Sequence, residues 1–233
     1  KIHTGRSRND QVLVATQLYL KDELSEIKLL TKELFDILIK LSNENKENLI
    51  PGYTHMQVAM PSSFGLWFSA YAECLIDDIL YINTAFKIND QNPLGSAAGY
   101  GSSFKIDRDF TTKELGFSDL KYNVVSAQMN RGKSEKSVAI AIGSIAHTLS
   151  KFSADICFYM TQELNFFSFP NEITTGSSIM PHKKNPDVFE LIRAKCNIIQ
   201  SLSNEFTIVS TNLTSGYHRD MQVFKGKIIE SVN

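Results

Sequence analysis

Between Gln11 and about Asn48 the chain carries neither proline nor glycine, and Leu13, Leu20, Ile27, Leu34 and Leu41 recur every seven residues, flanked by Leu24, Leu30, Ile37 and Leu38. Nothing in that run breaks a helical hydrogen-bond ladder, and the seven-residue period keeps the apolar stripe on one side. It reads as a single helix. At about 1.5 Å per residue it extends on the order of 55 Å, more than one compact core requires. The expected fold is therefore all-α, an elongated bundle of long helices.

Three further patterns continue the design. After Pro61, the residues Phe64, Trp67, Phe68, Tyr71, Leu75, Ile79 and Ile82 step by three and four toward Asn89. From Lys133 to about Glu163, Val138, Ile142, Ile145, Leu149, Phe152, Ile156 and Tyr159 do the same, the period of bundle helices. A fourth helix starts at Asn185, which can cap it; Pro186 suits a first helical position, and Asp187 and Glu190 complement the positive helix end. A fifth begins around Asp220. No alternating strand pattern of useful length and no internal repeat is visible.

Composition narrows the classes of function. Twenty-four basic residues against 25 acidic ones give a net charge of -1, with no block of like charge to neutralise a row of phosphates, so no nucleic-acid partner is expected. Cys74, Cys157 and Cys196 are far apart and set in apolar segments, which offers neither a disulfide framework nor a CxxC metal site. They read as reduced, buried thiols of a cytoplasmic protein. The weakly polar stretch from Ser137 to Ser150 falls short of the roughly 20 apolar residues a membrane span needs, so no membrane association is expected. Because the chain starts without Met and stops at Asn233 in what reads as a starting helix, it is expected to be a piece of a larger protein. Some helices are apolar nearly all round, notably from Leu66 to Tyr71 and from Ile140 to Ile156. Self-association, or cover by domains outside this chain, would account for them.

Polar chemistry is concentrated between the helices, where loops on a rigid scaffold carry function. The first segment, from His3 to Gln11, sets Arg6, Arg8, Ser7 and Asn9 at a helix start. That is either an anion-recognition kit of guanidinium and amide donors or a solvated helix cap. The second, Gly52 to Gln57, is a turn presenting His55 beside Thr54 and Gln57, and histidine is the side chain best suited to move a proton near neutral pH. Taken alone, such a histidine is more often a structural or surface residue. The third, Thr174 to Pro186, places a glycine and paired serines ahead of Lys183 and Lys184 at a helix N-terminus. A mobile loop there would hold a hydroxyl over an anion; the plainer reading is a polar connection with exposed lysines.

Gly176 to Pro186, GSSIMPHKKNP, resembles the signature of the fumarase, aspartase and argininosuccinate lyase superfamily, and HTGRSRNDQ at His3 to Gln11 and GYTHMQ at Gly52 to Gln57 resemble its argininosuccinate lyase branch in particular. The resemblance covers essentially the whole chain. It implies that residues 1–233 are a central helical-bundle domain, without the family's smaller N-terminal and C-terminal domains, and that these domains assemble as a homotetramer with a twenty-helix core whose active sites are shared between subunits. It further implies cleavage of argininosuccinate to arginine and fumarate without metal or organic cofactor, in arginine biosynthesis. Ser177 then matches the catalytic base. His55, paired with Glu190, is the candidate acid, and Lys183 stabilises the doubly charged aci-carboxylate intermediate. Ser7, Arg8, Asn9, Thr54, Asn185, Tyr217, Gln222 and Lys225 match substrate-contacting positions. Two alternatives stay open on sequence: a sister lyase acting on adenylosuccinate, and a crystallin-like structural protein with reduced activity.

Overall fold

A computed structural model of the chain describes residues 3–232. Seven helices dominate it: α1 Arg8–Glu44, α2 Phe64–Asn89, α3 Arg108–Glu114, α4 Val124–Met129, α5 Lys133–Tyr159, α6 Asp187–Ser210 and α7 Val223–Val232. The four long helices expected from periodicity fall within a few residues of their expected bounds, and the all-α assignment holds. Four short strands accompany them: β1 Leu49–Thr54, β2 Gln57–Ser63, β3 Gln91–Asn92 and β4 Asp119–Leu120. No helix among the described residues is long and apolar enough to cross a membrane.

The chain divides into two compact units. The first comprises Lys1–Leu34, Asp77–Ile142 and Leu202–Asn233. Its interior takes Leu13, Leu20 and Leu24 from α1, Ile82 and Ala85 from α2, Val138 from α5, Phe206 from α6 and Phe224 and Ile228 from α7, all essentially without exposure. Within that apolar interior the Lys21 ammonium pairs with Asp90, donates to the Gly116 carbonyl at 2.8 Å and lies 4.6 Å from the Phe117 ring centroid. Asp90 in turn accepts from Ser118 N at 3.2 Å and from the Ser118 hydroxyl.

Burial raises the Asp90 pKa, but the hydrogen bonds from Lys21 and Ser118 outweigh it and the carboxyl titrates below its usual range. A group with a depressed folded pKa stabilises the fold above its unfolded pKa, and that contribution is lost as pH falls through the folded value. Asp90→Asn is thus expected to cost about 2 kcal/mol at neutral pH, short of the figure for a stranded buried partner because Lys21 keeps Gly116 and Phe117. As pH falls through the lowered folded pKa and the parent carboxyl becomes protonated, the difference should shrink. Urea melts of both proteins in steps from pH 7 into the acid range decide it; a gap that stays equal all the way to acid unfolding refutes the linkage.

The second unit, Phe35–Ile76 and Gly143–Ser201, is built on aromatic rings. Trp67 stacks on Phe152 at 5.1 Å, and Phe64, Tyr71, Tyr159 and Phe167 close around them in edge and tilted contacts. Asp155 serves the two polar tips, accepting from Trp67 Nε1 at 3.0 Å and from the Tyr71 hydroxyl at 2.5 Å. Burial, with Asp155 adding to it, pushes the Tyr71 phenol far above its ordinary value, so it stays protonated. At the start of α2, Gly65 N donates to Asn45 O and the Ser42 hydroxyl donates to Gly65 O, which draws the chain against the end of α1. A β-carbon on Gly65 would lie 2.5 Å from Lys46 Cα, so only glycine allows that approach.

Several expectations need correction. The segment around His55 is no simple turn between helices: β1 and β2 form an antiparallel hairpin, pairing Leu49 with Ser63, Pro51 with Pro61 and Thr54 with Gln57. Cys74 is exposed and Cys157 half-buried; of the three thiols, only Cys196 is buried. Leu30 and Ile37, assigned to the α1 seam, are exposed, whereas Leu13, Leu20, Leu24 and Leu38 are buried. α6 starts at Asp187, two residues after the expected cap: the Asn185 side-chain amide donates instead to Thr175 Oγ1 at 3.2 Å.

Candidate active site

The first polar segment owes its shape to one residue. Asp10, with no exposed surface, accepts from Ser7 N at 2.9 Å through one oxygen and from Gly95 N at 2.9 Å and Ala97 N at 3.0 Å through the other. The carboxylate thereby caps the start of α1 and fastens it to the glycine-rich turn after Pro93. That turn needs its glycine: Gly95 has φ +88 and a β-carbon there would stand 2.8 Å from Ile106 Cδ1. Arg8 and Asn9 are consequently held on the outer side of a buried clamp.

Beside them opens a cleft of about 620 Å³, lined by Arg8, Asn9, Arg131, Tyr217, Gln222 and Lys225, with Val12 and Arg219. No aspartate or glutamate lines it, and four cations do. Five positions singled out from sequence, drawn from opposite ends of this unit's sequence, thus meet in one place suited to an anion. The Gln222 amide reaches the Tyr217 hydroxyl. Ser7, the sixth position of this unit, does not line the cleft; its hydroxyl accepts from Asn9 N at 3.2 Å and shapes the segment from behind.

The remaining residues lie in the second unit. His55 and Met56 are the two loop residues of the β1–β2 hairpin, with φ +52 and +61. A two-residue loop of this handedness favours Asn-Gly, so a histidine and a methionine here carry backbone strain. His55 makes no hydrogen bond among the described residues, and the pairing with Glu190 is not formed within the chain: Glu190 instead faces Arg193 at 4.0 Å. Thr54 stands exposed next to it on β1.

The signature segment is a loop closed at its neck. Thr175 and Asn185 pair as an isolated antiparallel bridge, Asn185 N donating to Thr175 O at 2.8 Å, and the Thr175 hydroxyl reaches Asp187. Inside the loop, Ser177 Oγ accepts from Ile179 N at 3.4 Å, and Lys183 N donates to Met180 O at 3.0 Å. His182, Lys183, Lys184 and Asn185 line a cleft of about 370 Å³ together with Cys157, whose thiol burial pushes up. Ser177 is not part of that lining. Among the described residues, no group of three or more His, Cys, Asp or Glu side chains is arranged to hold a metal ion.

Sequence reading missed Arg131 and Asp10. Asp10 lies within HTGRSRNDQ as one polar residue among many; Arg131 sits in a short link where a cation looks like surface. Only burial identifies either.

These geometries can be set beside known proteins. The argininosuccinate lyase of Phocaeicola vulgatus is 58% identical over 225 residues, 97% of this chain and 50% of that protein. The chain spans about half the length of the curated relatives it matches. Among solved structures, EDDS lyase in complex with formate superposes with a TM-score of 0.89 at 22% identity, over 99% of this chain and 47% of that one. A class II fumarase from Schistosoma mansoni does so with a TM-score of 0.87 at 19% identity, over 99% and 53%. Those two likenesses establish the helical fold. Residues 1–201 match the family model described as Lyase, and the chain, with its hairpin-borne histidine and necked signature loop, belongs to that family within the fumarase/aspartase superfamily.

Proposed function

We propose that the full-length protein is a cytoplasmic lyase that cleaves argininosuccinate to arginine and fumarate, and that residues 1–233 are its central helical domain. The observation that carries this reading is the convergence of Arg8, Asn9, Tyr217, Gln222 and Lys225 on one cleft free of acidic side chains. A substrate bearing several carboxylates requires such a surface. The relatives named argininosuccinate lyase support the choice of substrate.

The chemistry is a β-elimination. A base takes a proton from the succinyl carbon beside one carboxylate, giving a doubly charged aci-carboxylate; the electron pair then forms the carbon–carbon double bond as the bond to the guanidinium nitrogen breaks, and an acid protonates that nitrogen. Ser177 is assigned as the base, acting as an alkoxide that its surroundings stabilise. Lys183, with Asn185 and the amide donors at the start of α6, stabilises the developing charge. Thr54 contacts the substrate from the hairpin. His55, seconded by Glu190, is assigned as the acid.

His55 and Glu190 lack a mutual bond within one chain, and Leu66, Ile76, Leu80, Leu191, Ile198 and Ile208 expose apolar surface along α2 and α6. Both features support a homotetramer whose sites draw on several subunits. Neither metal nor organic cofactor enters the proposed scheme. Ultraviolet detection of fumarate decides the substrate. Release from argininosuccinate by the full-length protein is expected. Turnover of adenylosuccinate in its place would reassign the protein to the sister activity, and silence on both from a folded tetramer would overturn the enzymatic reading.

A further inference from the structure

Arg131 is only 6% exposed, yet it lines the cleft that holds Arg8, Asn9, Tyr217 and Lys225. Its Nη2 donates to the Asn9 carbonyl at 3.1 Å, and its guanidinium carbon lies 5.2 Å from the centroid of the Tyr217 ring. The backbone around it is fixed as well. Arg131 N donates to Gln128 O, Gly132 N to Glu135 Oε2 at 2.7 Å, and the Asn130 amide to the Ser134 hydroxyl at 2.6 Å. Gln128, Asn130, Ser134 and Glu135 are themselves buried. Gly132 has φ +79, which favours glycine, and a β-carbon there would sit tightly, 3.1 Å from Phe224 and Ser210 side-chain atoms.

Burying a cation is costly, and a fold that needed only packing here would be served by an apolar side chain of the same volume. This cation instead bridges two elements remote in sequence, each carrying a residue assigned to the substrate. A guanidinium suits that bridge: its flat face takes an aromatic ring while its edge donates in a fixed direction, which an ammonium cannot reproduce. We propose that Arg131 is a positioning residue of the lyase site, setting Tyr217 and the Arg8–Asn9 segment at the spacing that substrate recognition requires. The proposal rests on the reading of the cleft as the substrate site.

Steady-state kinetics of the full-length protein test it, with Arg131→Lys and Arg131→Gln. KM for argininosuccinate should rise about tenfold in Arg131→Lys and further in Arg131→Gln, with kcat within about threefold of the parent, because pre-set binding is lost and the proton-transfer groups are untouched. In a Tyr217→Leu background, Arg131→Lys should raise KM by clearly less than the roughly tenfold it produces alone, since the part of its effect that travels through that ring is already lost while the part through the Asn9 carbonyl remains. Should Arg131→Gln fail to fold, the charge-retaining lysine variant carries the test. KM within about twofold of the parent in a folded variant, a fall in kcat alone, or full additivity with Tyr217→Leu each overturns the positioning role. A parent protein inactive on argininosuccinate overturns the substrate reading itself and the proposal with it; an active parent with indifferent Arg131 variants overturns the proposal alone.

Discussion

Ser177→Ala in the full-length protein is expected to lower kcat on argininosuccinate at least about a thousandfold while leaving substrate affinity within a few-fold of the parent. Removal of the proton is the step that cannot proceed without a base, and no other side chain of the signature loop between Gly176 and Met180 carries a group able to accept it except Ser178. Binding should survive because the cationic cleft of the first unit and Lys183 are unchanged. The fold should survive too. Ser177 is half-buried and its hydroxyl has a single long bond, to Ile179 N at 3.4 Å, so its loss removes little packing. Single-turnover rates and equilibrium binding measured side by side separate the two effects; a kcat within tenfold of the parent would strip Ser177 of the role of base and direct attention to Ser178.

The second large effect is expected from a residue that touches no substrate. Asp10→Asn changes the side-chain volume hardly at all, yet it sets an amide N–H₂ or a lone neutral oxygen where a carboxylate accepts from Ser7 N, Gly95 N and Ala97 N. Whichever way the amide is turned, at least one buried backbone donor faces another donor. The cost is about 3 kcal/mol, from stranded N–H groups together with lost charge-assisted bonds. Arg8 and Asn9 follow directly on the segment that Asp10 caps, so KM should rise with the loss of stability. Urea unfolding checks the first claim. A loss under about 1 kcal/mol would mean that the turn after Pro93 is held by other means.

The long helices were legible because their signal is repetitive: a leucine stripe of period seven survives even though Leu30 and Ile37 prove exposed. The β1–β2 hairpin was not, for a physical reason. Its second strand is exposed along most of its length, so no alternation of apolar and polar residues announces it, and Pro51 opposite Pro61 argues against a ladder. Its loop, His55 and Met56, lacks the Asn-Gly that normally flags a two-residue turn. On the side of the site, Arg8, Asn9, Tyr217, Gln222 and Lys225 were named from motifs and meet in the cleft. Motifs could not supply Arg131: in the run Met129, Asn130, Arg131, Gly132, Lys133 it has the look of solvated surface. Its burial arises from α4, α5 and the Tyr217 segment converging, a property of tertiary structure alone.

The neck formed by Thr175 and Asn185 bears on how quickly the signature loop can search for its proposed working position. With both ends of the signature loop pinned by paired backbone bonds, Ser177 explores a small volume on a short tether, and such searches are completed within nanoseconds to microseconds. A typical enzyme turns over on the order of ten times per second. If Ser177 is the base as proposed, its search is expected to be completed on the order of a hundred thousand times or more in each such cycle, which leaves proton removal or the departure of products to set the pace.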